Sequence, residues 1–215
     1  MAKQIAVIGL GRFGKAVARE LMELGHEVVG IEVSEKTAAA LEQDIPDILI
    51  LDSTSKQALQ DADIKSFDTV VVAIGAGVEA SILTTLLLKE LGVKTVVAKA
   101  QDYYHEIILK RVGADRVVQP EEEMGTRLAR SLSSPNMLDF IELAPGYSVV
   151  EIVASENMFG RTLAELDLRR KFGVNVLAIK HNDLINAVPK GEDTIRQGDI
   201  LIIAGQDEKI DLLRK

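Results

Sequence analysis

A chain of 215 residues, 47% hydrophobic and 27% charged, has room for one large domain or a full domain and a smaller one, and with only 4% aromatics its core must be aliphatic. Its formal charge of −8, from 25 Lys plus Arg against 33 Asp plus Glu with no basic block, gives no support to nucleic-acid binding. The absence of cysteine excludes disulfides, thiol catalysis and thiolate metal sites, and suits a cytosolic protein.

The opening "MAKQIAVIG" enters a strand pattern at once and leaves no room for a signal peptide. Val- and Ile-rich runs predict strands at Gln4–Ile8, Glu27–Val33, Ile48–Leu51, Thr69–Ile74, Thr95–Ala98 and Arg116–Val118. Amphipathic segments lie between them, the clearest being "GKAVARELMELG", "SKQALQDAD", "ASILTTLLLKELG" and "YYHEIILKRVGA". Near-continuous apolar strands alternating with helices imply a Rossmann-like, doubly wound parallel α/β sheet over residues 1–120. The longest apolar region, "TVVVAIGAGVEASILTTLLL", is interrupted by Gly75, Gly77 and Glu79, so it reads as strand, turn and helix rather than a membrane span.

Beyond Pro120 the pattern changes. "QPEEEMGTRLARSLSSPNMLDFIEL" predicts a helix, a Ser-Ser-Pro break and a second helix, a helical connector over residues 121–144. Pro120 suits the first helical position, and the three glutamates after it favour the positive helix end. Residues 145–215 predict a small α+β domain with strands at "SVVEIVA", "NVLAIKH", "DLINAV" and "DILIIAG", a short helix near "TLAELDLRRKF" and a closing helix at "DEKIDLLRK".

"VIGLGRFGKAV" carries the pattern that can bind a ligand. Gly9 permits a tight turn, Gly11 lets the backbone approach a pyrophosphate, and Gly14 lets helix and sheet pack closely. Phosphates would meet unpaired N–H groups at the positive end of the helix. Glu32, at the end of the second strand, is placed to accept from ribose hydroxyls and to repel a 2′-phosphate, which disfavours an NADP-type ligand. Gly9 to Lys15 also spells most of a P-loop, but Ala16 stands where that motif needs a magnesium-binding hydroxyl, and Lys15 becomes a solvent-facing helix residue. Two more strand ends face the same edge. "LDSTS" offers Asp52, Ser53 and Thr54 as caps for the next helix or contacts to adenosine, and "AIGAG" brings Ala73 and Gly75 close to the ligand. Phe13, inside the loop, and Lys99, after the fifth strand, complete the nucleotide-site assignment.

Catalytic groups do not accompany this site. A Tyr–Lys dyad would need Lys four residues after Tyr, yet Tyr103, Tyr104 and Tyr147 are followed there by Ile107, Ile108 and Glu151. His26, His105 and His181 are scattered, and no Ser/His/Asp or H-E-x-x-H pattern occurs. The residues point to sensing. A small NAD-dependent oxidoreductase or an NAD(H)-binding redox sensor remains the alternative, motivated by the glycine loop and Glu32.

With these residues placed, the chain resembles the RCK (regulator of conductance of potassium) proteins, and among them the cytosolic gating subunits of bacterial Ktr/Trk potassium transporters. The resemblance is carried by "IAVIGLGRFGKAVARELMELGHEV", "VVVAIGAGVEASILTTLLLKELGV", "VVAKAQDYYHEIILKRVGADRVVQPEEEMG", "NVLAIK" and "GDILIIAG", in order and across both domains. It implies homodimers assembling into a homo-octameric ring at the inner face of the cell membrane. The ring would dock on a potassium-translocating subunit of the KtrB/TrkH type. It also implies that ATP favours the conductive state and ADP the inactive one, with Arg12 reaching the terminal phosphate. A divalent or sodium cation at the dimer interface would fall to Glu121, although by sequence alone Glu121 to Glu123 are helix-start acids. Finally it implies cyclic di-AMP between two copies of the C-terminal domain, near Asn175, Val176, Ile179, Lys180 and His181. The family often has arginine where Lys180 stands, which weakens bidentate phosphate recognition.

Overall fold

The computed structural model describes residues 2–133, 137–182 and 184–213. Its chain divides into two compact units, Met1–Glu121 and Glu122–Lys215. Among the described residues no helix is long and apolar enough to cross a membrane.

The first unit contains all six expected strands: β1 (Gln4–Ile8), β2 (Glu27–Glu32), β3 (Ile48–Ile50), β4 (Thr69–Val72), β5 (Val96–Lys99) and β6 (Arg116–Val118). They form one parallel sheet in the order β3-β2-β1-β4-β5-β6. Its helices are α1 (Arg12–Glu23), α2 (Glu35–Ala39), α3 (Lys56–Asp61), α4 (Val78–Glu90) and α5 (Tyr103–Arg111). The strand pleat explains the apolar runs. Ile5, Val7 and Val71 enter one aliphatic cluster with Leu10, Ala18 and Ile45, while Ala6, Ile8, Val70 and Val72 enter another with Leu59, Leu88 and Leu109. Successive residues of one strand are thus buried on opposite faces, as in a parallel sheet covered by helices on both sides.

In the second unit one expectation fails. Pro120 does open a helix, α6 (Pro120–Leu132), but "MLDFIEL" is strand β7 (Met137–Ala144) and not a second helix. Of the expected Ser-Ser-Pro break, Ser134 and Pro135 lie outside the described residues. The physical reason is the turn that follows. Pro145 fixes φ and Gly146 takes φ +79, the residue pair of a type II turn. That turn folds the segment back on β8 (Tyr147–Val153) as an antiparallel pair. The remaining elements are α7 (Leu163–Leu166), α8 (Leu168–Phe172), β9 (Asn175–His181), β10 (Leu184–Asn186), β11 (Ile200–Gln206) and α9 (Asp207–Leu213). The sheet runs β10-β9-β11-β8-β7, and its core gathers Phe140, Val150, Ile152, Ile195, Leu201, Ile203 and Ile210.

Candidate functional site

The strand order reverses between β1 and β4, and a cleft of about 290 Å³ lies beyond the carboxyl ends of these strands, where doubly wound sheets bind ligands. Gly9, Gly11, Glu32, Asp52, Ser53, Thr54, Ala73 and Gly75 all line it. The three loop glycines have distinct causes. Gly9 has φ +87, and a Cβ there would lie 3.1 Å from the Ile74 backbone nitrogen. A Cβ on Gly14 would lie 2.0 Å from the Gly9 carbonyl oxygen, so helix and loop meet only over a glycine. Gly11 has φ −67, and a Cβ there would meet nothing within 4 Å. The fold makes no demand for glycine at 11; a pyrophosphate laid on the backbone would.

Glu32 is held by three backbone donors. Its Oε2 accepts from Leu10 N–H at 2.9 Å, and Oε1 from Val33 and Ser34 N–H at 3.0 and 3.1 Å. A carboxylate has about four acceptor positions, so about one remains for a ribose hydroxyl. The carboxylate also ties β2 directly to the glycine loop.

The adenosine edge corrects one expectation. Neither Ser53 nor Thr54 caps α3; Ser55 does, accepting from Ala58 N–H. Thr54 donates its N–H and its hydroxyl to Asp52 Oδ1, at 2.9 and 2.7 Å, and these bonds, the hydroxyl's first, hold the Asp52 carboxyl below its ordinary range. Ser53 is buried against α4, where Thr84 Oγ1 donates to the Ser53 carbonyl and lies 2.9 Å from Ser53 Oγ. Three adjacent capping-type residues left the register open in the sequence, and the burial of Ser53 decides it. Lys15, expected in solvent, is half-buried and pairs with Asp44, whose carboxyl that contact holds low.

Three sequence-assigned residues, Arg12, Phe13 and Lys99, are not in the lining of this cleft, although they follow β1 or end β5 at the same carboxyl edge of the sheet. Arg12 is the exposed first residue of α1. Lys99 ends β5, is 8% exposed, and places Nζ 5.7 Å from the centre of the half-buried Phe13 ring and 2.5 Å from Glu121 Oε1. The hydrogen bond from Lys99 holds the Glu121 carboxyl below its ordinary range, and the Arg12 charge adds to it. This ion pair was not legible from spacing, because its members are 22 residues apart and meet only when the chain crosses from β5 to β6. Gln101 was missed as well. It follows β5 at the same edge and donates Nε2 to the Gly75 carbonyl at 2.6 Å, bracing the loop after β4.

Among the described residues no three His, Cys, Asp or Glu side chains cluster as a metal site. Glu121 is a single carboxylate already neutralised by Lys99, whereas a hard cation takes six or more oxygens. The donor set of one chain therefore does not by itself fit a cation. In the second unit, β9 runs between β10 and β11. Ile179 belongs to that unit's core and Val176 packs against it. His181 Nδ1 lies 2.6 Å from the buried Asp199 Oδ1, so of the five β9 candidates Asn175 and Lys180 offer the freest polar atoms.

The TrkA-N domain family matches residues 5–120 and the TrkA-C domain family residues 147–215. The chain is 43% identical over 208 residues to Ktr system potassium uptake protein A of Bacillus subtilis (strain 168), covering 97% of this chain and 94% of that protein. It is also 43% identical over 215 residues to protein C of the same system and organism, covering 100% and 97%. Of solved structures, the GsuK channel bound to NAD is similar with a TM-score of 0.55 and 26% identity, over 98% of this chain and 38% of that one. The chain thus spans well under half of that channel's length.

Proposed function

The chain belongs to the family defined by the TrkA-N and TrkA-C domains, and on that premise we propose that it is the regulatory subunit of a potassium uptake system, switched by ATP and ADP. The observation that carries the nucleotide reading is Gly11, a glycine the fold does not need, in the lining of a cleft that also holds Glu32, with Arg12 next to Gly11 in the chain. The sugar would pair with Glu32, the pyrophosphate would lie on the loop, and a terminal phosphate would meet Arg12. A guanidinium fork suits phosphate oxygens, and ADP lacks the group it would grip. That difference in contact is what a switch requires, since a ligand shifts an equilibrium only by its differential affinity for the two states.

The reading assigns the cleft no chemistry. Its titratable side chains are Glu32 and Asp52, and both are occupied by backbone or Thr54 donors. In the proposed assembly, homodimers form an octameric ring under a membrane potassium-translocating subunit, which brings the protein to the inner face of the membrane. Cyclic di-AMP between two copies of the second unit would use Asn175, Lys180 and His181. A second reading, an NAD(H) sensor, is favoured by Glu32 and by the NAD-bound GsuK structure.

Calorimetric affinities of the purified protein for ATP, ADP, NADH and NADPH decide between them. ATP binding with discrimination against ADP is expected, and tight NADH with no measurable ATP binding would overturn the switch.

A further inference from the structure

Gln101 and His105 join the start of α5 to the wall of the cleft. Ala73 to Ala76, the loop after β4, line that cleft, and the Gly75 carbonyl accepts from Gln101 Nε2 at 2.6 Å. Gln101 in turn donates its backbone N–H to His105 Nδ1 at 3.2 Å. His105 is 2% exposed, Asp102 Oδ1 accepts its N–H at 2.9 Å, and among the described residues its Nε2 has no partner. An accepting Nδ1 requires the neutral ring with its proton on Nε2. A second proton would make Nδ1 a donor facing the Gln101 N–H, so the bond would be lost and Gln101 released. The charged groups of α5 are Asp102 at its cap, Glu106, which is held by Lys110 and Gln119, and Arg111. α4 and β6 pack on α5. They carry Glu79, Lys89, Glu90 and Arg116, of which Lys89 pairs with Asp115 and Glu90 with Lys56. The charge that acts on the ring is that of Asp102, and burial outweighs it.

We propose that His105 is a positioning residue for the nucleotide, acting through Gln101 on the loop at Gly75, so that the cleft is braced when the imidazole is neutral and loosened when it is protonated. Nucleotide affinity is then linked to a proton, because the ligand binds the braced cleft and draws His105 toward its neutral form. Burial holds the ring's pKa under the ordinary value near about 6.5. Full affinity is therefore present above that pH and is lost as pH falls through the lower folded value. A His105 that served packing alone would move stability with pH and leave the cleft untouched. This inference rests on the nucleotide reading given above.

The test is calorimetric titration of ATP into wild type, His105→Asn and Gln101→Leu, from pH 7.5 down to the lowest pH at which melting curves show all three folded. The phosphate's own titration is common to the three, so the differences between them carry the result. Over that range wild type is expected to lose at least about fivefold more affinity than either variant. Gln101→Leu keeps its backbone N–H on His105, so its urea midpoints should fall with pH as those of wild type do. Without the brace on Gly75, it should already bind ATP about fivefold more weakly at pH 7.5. Affinity profiles that run parallel in wild type and either variant overturn the relay. Wild type alone decides if neither variant folds. Coupling is reciprocal, so saturating ATP must lower the His105 pKa read from its imidazole NMR signals, and an unmoved titration overturns the proposal. A wild type that binds no ATP at pH 7.5 overturns the nucleotide reading, and this coupling with it.

Discussion

At the scale of single residues, Gly11 and Gly14 separate what the proposed nucleotide would require from what the fold requires. A Cβ at 14 strikes the Gly9 carbonyl at 2.0 Å, whereas one at 11 enters open space. Gly14→Ala should cost about 3 kcal/mol through overpacking. Gly11→Ala should cost about 1 kcal/mol or less, as the loss of a glycine N-cap. Nucleotide affinity should nevertheless fall about tenfold or more in Gly11→Ala, since the methyl would stand where the pyrophosphate lies. Denaturant unfolding and calorimetry on the same samples check both. Arg12→Ala should weaken ATP about tenfold or more and ADP by less than about threefold, as the loss of a charge-assisted hydrogen bond made only to the terminal phosphate. Equal losses would remove Arg12 from the discrimination.

His105 carries the pH dependence. It is buried on α5, its Nδ1 accepts from Gln101 N–H at 3.2 Å, and its Nε2 is without a partner. Burial lowers its pKa, with Asp102 opposing. The folded state thus binds a proton less readily than the unfolded chain, whose imidazole titrates near about 6.5. The stability contributed by neutral His105 is fully present above that value and is lost as pH falls below it toward the depressed folded pKa. Urea midpoints should therefore drop between pH 7.5 and 5.5. In His105→Asn, whose amide oxygen can accept from Gln101, the drop should shrink. The lowered carboxylates Asp44, Asp115 and Asp139 act in the same direction only at more acid pH, so they do not confuse this window. The places of Glu32, Gly9 and Gly11 at the cleft could be read from the chain because they are local to one strand–loop–helix–strand step. Lys99 with Glu121, and Ser53 with Thr84, could not, since each pair is assembled by packing between distant segments.

At the scale of elements, the inner strands β2, β1, β4 and β5 were legible because strands buried on both faces need continuous apolar runs, which are distinctive, and the shorter edge strands β3 and β6 by their Ile and Val content. "MLDFIEL" was not, because its apolar residues at 137, 138, 140, 141 and 143 satisfy both a helical stripe and a pleated face. The deciding signal was the Pro145–Gly146 turn just beyond it, which acts on the hairpin and leaves no mark on the run itself. The contact between the β3–α3 loop and α4 carries its own prediction. Ser53 and Thr84 lock the loop after β3 onto α4 beside the cleft, at the end proposed for adenosine. Thr84→Val leaves Ser53 Oγ and its carbonyl without that partner in a buried place, at a cost of about 1–3 kcal/mol. The loop holding Asp52 and Thr54 should loosen. ATP, ADP and NADH should then lose affinity by one common factor, measured by calorimetry, because all share the adenosine. A loss confined to ATP would show that the loop serves the phosphate end instead.

At the scale of the whole molecule, α6 poses the question of what completes the chain. It runs for thirteen residues without burying any, and an isolated helix of that length is marginal in water. Met124, Leu128 and Leu132, spaced four apart, form a stripe exposed by 58%, 56% and 77%. Helices keep such a stripe when another surface covers it. In the proposed ring the cover is the same stripe of a second copy, an isologous contact in which each residue meets its counterpart region across a two-fold axis. Leu128→Glu should then convert the assembly to monomers in sedimentation experiments, because it places two like charges in one apolar seam. The first unit should keep its own melting transition, as its aliphatic clusters lie elsewhere on the chain. Discrimination between ATP and ADP should fall with the assembly if Arg12 also serves the neighbouring site, and should persist in the monomer if each cleft is complete alone. A Leu128→Glu protein that sediments like wild type would move the interface off α6 and leave the stripe to a different partner.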